Sequence, residues 1–338
     1  MIREAPSTID EKPRWSEAIA TIAPSPPRSF RLDSRKPLAE ALRTVMLAQL
    51  DGAVAASASL PKLDDPIERA SAVRIARKAT KRLRAMLPLL EGAASEASLA
   101  HWGESLRRCG RLFSAIRDRD VRGETIASIA RDVRSTLADE DERDALDSII
   151  DLACGCGARP RSEDAVAREA TSILAALRRD LELTSLAPIG WSSLRRRVRA
   201  DWRRLRRRLR RDLASGCDER LHACRKSCGR LEARLLLVES LDPRRIRSRR
   251  RRLSAIYDDL GADRDLHLAA AWLCRSDLVH GGGGAADRCI ETLLEAIARS
   301  RRRFRRRLSK RIERIPRSRP GAWRAIRRDP SAPKEPKP

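Results

Sequence analysis

Aromatic side chains are nearly missing from this chain: six Trp, three Phe and one Tyr among 338 residues. A protein that stacks nucleobases on an aromatic platform needs more of them, and needs them at its surface. Most of these ten instead fall at apolar positions of helical patterns, where Trp and Phe fill cores. Long apolar runs are missing too. Stretches such as Leu268–Cys274 fall far short of the roughly 20 residues that cross a bilayer. No apolar segment near the N terminus precedes a cleavage site. Neither membrane insertion nor a secretory leader is expected, and the chain reads as cytoplasmic. Alternating Val, Ile and Thr are absent, so strands are not expected.

The motifs of catalysis are lacking as well. There is no Walker loop, no Gly-x-Ser-x-Gly and no His-Glu-x-x-His, so an enzyme is not expected. Eight cysteines in a chain of this length do not make a disulfide scaffold, and free thiols fit better. Cys224 and Cys228 stand four apart beside His222, and Cys154 and Cys156 share a glycine-rich stretch, but neither pattern has a zinc spacing. No metal or cofactor is expected. His101, His267 and His280 have no partner pattern and read as polar surface or core residues. Helix-turn-helix, RNP and zinc-finger signatures are absent.

What is abundant is positive charge. Lys and Arg total 73 against 47 Asp and Glu, for a net charge of +26 and a pI near 11.1. Such a field selects partners rather than folds, and it points to a polyanion. Nine of the basic residues are lysine and 64 arginine; the guanidinium fork suits bidentate contact with phosphate.

The charge is organised in a repeat. VRIARKATKRLRAML at 73–87 is echoed by LHACRKSCGRLEARL at 221–235, and each copy is followed by an Asp doublet, IRDRDV at 116–121 and GADRDL at 261–266. Two such units nearly fill the chain. Residues 1–33 read as a proline-rich flexible arm, 34–187 as a first helical bundle, 188–315 as a second, and 316–338 as a basic, proline-rich disordered tail. Breaks are expected at 154–160, 187–190, 242–243 and the four glycines 281–284.

Between arm and tail the apolar spacing is helical. On a helix over 72–91, Ile75, Ala79, Leu83, Met86 and Leu90 make one stripe, with Arg74, Lys78 and Lys81 turned away from it and Arg77, Arg82 and Arg84 flanking; Pro88 bends or ends it. A helix over 192–213 sets Val198, Trp202, Leu205, Leu209 and Leu213 against eleven arginines. Another over 296–315 sets Ile297, Phe304, Leu308, Ile312 and Ile315 inward. Further helices are read over 38–58, 98–116, 122–138, 163–184, 219–240, 244–260 and 286–296. The fold class is all-α.

In order and spacing, the two copies resemble the conserved histidine α-helical domain, or CHAD, family, whose repeat opens on an apolar residue and a His, continues with Arg-Lys and further basic positions, and later carries an acidic turn of the Arg-Asp-x-Asp-Val or Leu-Gly-Asp-x-x-Asp-Leu type. Here these are LHACRK at 221–226 and DDLGADRDL at 258–266, preceded by the arginine-rich 191–209, and, in the first copy, VRIARKATKRLRA at 73–85 and LRRCGRLFSAIRDRDV at 106–121. The resemblance covers about 34–315 and is divergent: Arg74 stands at the first His position, Gly229 at a usual basic position, and Glu232 near another. It implies two tandem four-helix bundles related by pseudo-twofold symmetry, with basic residues lining a groove between them that binds inorganic polyphosphate without catalysis and directs the protein to polyphosphate granules. The triphosphate-tunnel domain that often accompanies the family, with its Glu-x-Glu-x-Lys motif, has no counterpart here.

Matching positions give the candidate contacts. They are Arg74, Arg77, Lys78, Lys81, Arg82 and Arg84 in the first copy, with Arg107 and Arg111 on the following helix. In the second they are His222, Arg225, Lys226 and Arg230, with Arg199, Arg203 and Arg206 on the preceding arginine-rich helix. The first copy is expected to dominate. Polyphosphate has no bases and no sugar, so a row of cations one helical turn apart, about 5 Å, suffices to hold it. Asp118, Asp120, Asp263 and Asp265 read as structural carboxylates that hold arginines or cap helices. Non-specific binding to the nucleic-acid backbone is the alternative. Oligomeric state and chain-length preference leave no mark in the sequence.

Overall fold

The computed structural model describes residues 30–137, 139–155, 162–275 and 284–315, except the side chains of residues 115, 116, 118–120 and 162. The arm before residue 30, the tail after 315, most of the glycine run, His280, Cys156 and the side chains of Asp118 and Asp120 lie outside that description. Among the described residues there are nine α-helices and no strand, so the fold is all-α. They are α1 (Leu38–Ser59), α2 (Pro66–Met86), α3 (Glu96–Val133), α4 (Glu140–Cys154), α5 (Ser162–Leu183), α6 (Trp191–Ser215), α7 (Asp218–Leu237), α8 (Pro243–Leu273) and α9 (Ala285–Glu313).

The helix ends follow local chemistry. Asp65 caps α2 by accepting from the Ile67 N–H, with Pro66 at the first helical position, where its missing N–H costs nothing. Asp242 and Pro243 do the same for α8. Pro88 ends α2 as expected, inside a 3-10 turn over Leu87–Leu90. Gly155 closes α4 and Gly216 closes α6, each in the left-handed conformation that glycine adopts without a Cβ clash.

Three expectations need correction. The segments 98–116 and 122–138 form one helix, α3, and 244–260 runs on through Gly261 to Leu273. The Asp doublets therefore sit in mid-helix. Helix α4 was not foreseen: Leu146, Ile149 and Ala153 are buried along one side, but acidic residues crowd the rest and hide the period. Ile75 does not join the stripe on α2. It is 37% exposed, while Val73, Ala76, Thr80 and Leu83 are buried, because α2 packs against α1, α3 and α7 at once and buries more than one face.

Packing follows two closed rings. In one, α1 packs on α2, α2 on α3, α3 on α5 and α5 on α1; in the other, α6 packs on α7, α7 on α8, α8 on α9 and α9 on α6. Helices α2 and α7, which carry the two copies of the basic motif, pack directly on each other, as do α3 and α8. The largest hydrophobic core draws on both rings, including Leu83 and Met86 of α2 with Leu231 and Leu235 of α7. A second core gathers the far halves of α3 and α8 with α4 and the first half of α9.

Buried ion pairs brace this frame. Arg234 on α7 donates to the Ala85 carbonyl of α2 at 2.8 Å and pairs with Asp201 of α6, joining three helices at one guanidinium. Asp263, buried on α8, accepts from Arg301 at 3.1 Å and Arg305 at 3.2 Å on α9, and both arginines also reach Asp218 at the start of α7. Asp265, two residues on and about 200° round the helix, faces Arg225 at 3.6 Å. Removing one member of a buried pair leaves its partner uncompensated, so Asp263→Asn should lower stability by about 3 kcal/mol in urea denaturation. Asp265→Asn, at a wetter pair, should cost about 1 kcal/mol or less. Equal losses would show that the ring closure does not depend on Asp263.

Candidate anion-binding site

The contact between α2 and α7 brings together cations that are far apart in sequence. On α2, Lys78, Lys81 and Arg84 are exposed and Arg74 and Arg77 half-buried. Facing them are Arg225 and Arg230 of α7, Arg117 of α3 and Arg250 of α8, which act on them electrostatically: Arg225 and Arg117 on Lys81, Arg230 on Arg84, Arg250 on Lys78.

These side chains combine two properties that rarely coincide. Lys78, Lys81 and Arg84 keep contact with solvent, yet surrounding protein disfavours their charge. The Lys81 ammonium is pushed down to about 8 from an ordinary 10.5, first by burial and then by Arg77, Arg225 and Arg117. Lys78 is lowered by burial and then by Arg82. Arg84 is lowered by burial and then by Arg107, Arg230 and Arg111. A cation that is wet but flanked by protein stands in a recess. Among the described residues, neither Lys78 nor Lys81 has a carboxylate within ion-pair distance.

The other sequence candidates are placed unevenly. Arg77 donates to the Ser114 hydroxyl at 2.8 Å. Arg82 is buried, donates to Gln49 Oε1 at 3.2 Å and stacks on Phe30. Arg107 and Arg111 both pair with Glu104 on the exposed side of α3, near Arg84. Arg199, Arg203 and Arg206 lie on α6, and none of them is among the charges acting on Lys78, Lys81 or Arg84. Lys226 is exposed and, with Arg264 and Arg225, acts on His222. His222 is pushed down to about 4, chiefly by burial, so its ring is neutral at pH 7; its buried Nδ1 has no hydrogen-bond partner among the described residues.

Gly229 has a steric reason. A Cβ there would come within 2.9 Å of the Tyr257 ring, so a basic side chain at this position would displace Tyr257, over which Arg225 stacks at 5.4 Å. Gly261 likewise gives room to the Arg225 guanidinium, which a Cβ would meet at 3.0 Å. Glu232 pairs with Arg250 at 3.2 Å. The second wall thus carries carboxylates among its cations, including Asp258, which burial and then Glu232 hold above the usual carboxylate range. Sequence reading missed Arg117, Arg250 and Arg264. Arg117 directly precedes the first acidic doublet and Arg264 stands within the second, where the aspartates drew notice instead; Arg250 is one of many arginines in its run and carries no signal of its own.

Elsewhere, His267 pairs with Asp218 through Nδ1 at 3.0 Å. Cys224 and Cys228 are buried, with burial pushing the Cys224 thiol up to about 12. Trp102, Trp191, Trp202 and Phe113 are core residues.

Lys81 gives the recess a pH signature. Between about 8 and 10.5 the unfolded chain holds a proton at Lys81 that the folded protein has lost, so the stability of the empty protein rises with pH across that window. An anion bound beside Lys81 favours its charged form, so affinity should move the opposite way. Binding of tripolyphosphate, titrated at stepped pH, should weaken as pH climbs through about 8, while Lys81→Arg should hold its affinity to about pH 10 because guanidinium does not titrate there. A flat wild-type profile over that range would place the anion elsewhere.

Comparison with known proteins bears on what this recess belongs to. No curated protein matches the sequence. A crystal structure of the CHAD domain from the plant Ricinus communis is similar in fold, with a TM-score of 0.60 at 18% identity, covering 87% of this chain and 98% of that one. The sequence model of the CHAD domain matches residues 45–274, which span all of α2, α3, α6 and α7. The chain belongs to the CHAD domain family.

Proposed function

We propose that this protein binds inorganic polyphosphate, without catalysing its turnover, in the recess where α2 meets α7, and that this binding directs it to polyphosphate granules. The two rings of helices are then two equivalent bundles, residues 34–187 and 188–315, related by a pseudo-twofold axis that passes between α2 and α7. The observation that carries the reading is the pair Lys78 and Lys81: solvent-accessible, flanked by protein, crowded by other cations and without a carboxylate partner among the described residues.

The physical argument is one of mutual need. Cations held this close repel one another, and a polyanion that binds only the folded state relieves that repulsion and stabilises the fold by mass action. A polyphosphate chain supplies one tetrahedral anion after another with nothing bulky attached, so it can follow a row of donors between two helices. Each charge-assisted contact contributes roughly 1.5–3 kcal/mol. The carboxylates Glu232 and Asp258 make the α7–α8 wall the weaker one, and α2 supplies the stronger contacts.

Charge reversal separates a local site from diffuse attraction. Arg301 is unsuitable as a distant comparator because it is tied to Asp263 and Asp218; Arg302 and Arg303 are exposed on the same helix. Lys78→Glu with Lys81→Glu should weaken polyphosphate binding on the order of 100-fold or more, as expected for two lost charge-assisted contacts at about 1.4 kcal/mol per tenfold. Arg302→Glu with Arg303→Glu changes the net charge equally and should weaken it only a few-fold. Equal losses from the two pairs would mean that net charge alone holds the chain.

A further inference from the structure

The two rings of helices are built alike but charged differently. In the first, the two helices away from the α2–α7 contact are nearly neutral or acidic: α1 carries one arginine against Glu40 and Asp51, and α5 carries three arginines against five acidic residues. The helices holding the corresponding places in the second ring are α6 and α9. Helix α6 carries eleven arginines against two aspartates. From Arg299 to Arg311, α9 carries eight arginines and a lysine with no acidic residue. The first ring closes without such charges, so beyond the arginines tied to internal carboxylates neither the fold nor the recess accounts for them.

Some are spoken for internally: Arg301 and Arg305 hold Asp263, and Arg208 and Arg211 hold Asp212. Others pair nearby, Arg197 with Glu91, Arg204 with Asp201, Arg299 with Glu295 and Arg311 with Asp259, while a further set is exposed. Arg203, Arg207 and Arg210 are exposed on α6 at four- and three-residue steps; on α9, Arg302 and Arg306 are exposed four apart, with Arg303 and Arg307 exposed beside them. Since α6 and α9 pack on each other, these arginines form two neighbouring rows, separated by about the 8–10 Å of packed helices. Each row repeats about every 5 Å along its axis, and α6 at 25 residues is about 37 Å long.

We propose that this α6–α9 face is a second binding surface, distinct from the recess, that takes the phosphate backbone of duplex nucleic acid without reading sequence. Two rows about 8–10 Å apart lie between the widths of the two duplex grooves, about 6 Å for the minor and 12 Å for the major, so long arginine side chains from both can reach phosphates on either side of one groove. The apolar residues of both helices face the core. None of the large exposed hydrophobic residues, Ile67, Ile75, Leu152, Leu183 and Leu268, lies on either helix, so the face has nothing to insert into a lipid layer. Trp191 and Trp202 of α6 are buried, and the Phe304 ring on α9 lies under Arg307, which leaves no platform for unpaired bases.

The test uses the full chain, a labelled 20-base-pair duplex and labelled polyphosphate. Arg207→Gln, Arg210→Gln, Arg302→Gln and Arg303→Gln, combined in one variant, should weaken duplex binding on the order of 100-fold. It should also flatten the slope of log affinity against log salt by about 3 to 4, at roughly 0.9 per lost phosphate contact. The same variant should keep its affinity for polyphosphate within a few-fold, which doubles as the check that it is folded. Lys78→Glu with Lys81→Glu should show the reverse pattern. Unchanged duplex binding in the four-arginine variant would overturn the proposal, as would loss of duplex binding in the α2 variant alone.

Discussion

The structure turns on cations of like sign held together where α2 packs on α7. For the lysines the contact is unfavourable on balance: Lys81 has no carboxylate partner within ion-pair distance among the described residues and loses affinity for its own proton, although Asp265 acts the other way from farther off. It persists because apolar burial beneath it, with Leu83 and Met86 against Leu231 and Leu235, outweighs repulsion that water still partly screens. The Arg234 guanidinium then fixes the crossing by joining α2, α6 and α7. On the proposed function, the stability of the frame and the readiness of the recess for an anion are two consequences of one arrangement.

The arginines divide by what they face. Arg82, Arg234, Arg301 and Arg305 are internal ties, each with a named acceptor or ring. Arg74, Arg77, Arg84 and Arg225 line the recess with Lys78 and Lys81. Those of α6 and α9 that look outward belong to neither group. Carboxylates follow the same division: Asp263 and Asp218 hold arginines inside, whereas Glu232 and Asp258 temper the second wall of the recess. A net charge of +26 is therefore not spread evenly over a sphere; it is sorted by helix face.

The helical architecture was legible because apolar residues recur at helical spacing nearly everywhere, and because Pro88, Asp242 and Pro243 act locally at helix ends. Where charge density drowned the apolar period, as in α4, the helix was invisible. Where no Pro intervened, the helix ran on: 116–122 joins two apparent segments, and at 260–262 Gly261 weakens a helix without forbidding it. The basic row on α2 was visible as a periodicity, but the identity of its opposing cations was not. Arg117 and Arg250 come from α3 and α8, and only the packing of the rings sets them beside Lys81 and Lys78. Arg82 shows the converse: by spacing it flanks the row, yet Gln49 and Phe30 claim it. Gly229, an anomaly in the motif, becomes intelligible only with the Tyr257 ring beside it.

The most direct measurement of the central claim is a competition at physiological salt. Labelled long-chain polyphosphate is bound to the protein and displaced by unlabelled polyphosphate or by double-stranded DNA matched in phosphate. A recess for a slim anionic chain requires that polyphosphate displace the label and that DNA, at the same phosphate concentration, leave most of it in place. Equal displacement by the two, with all binding collapsing as salt rises, would contradict the account and leave a general polyanion-binding surface in its place.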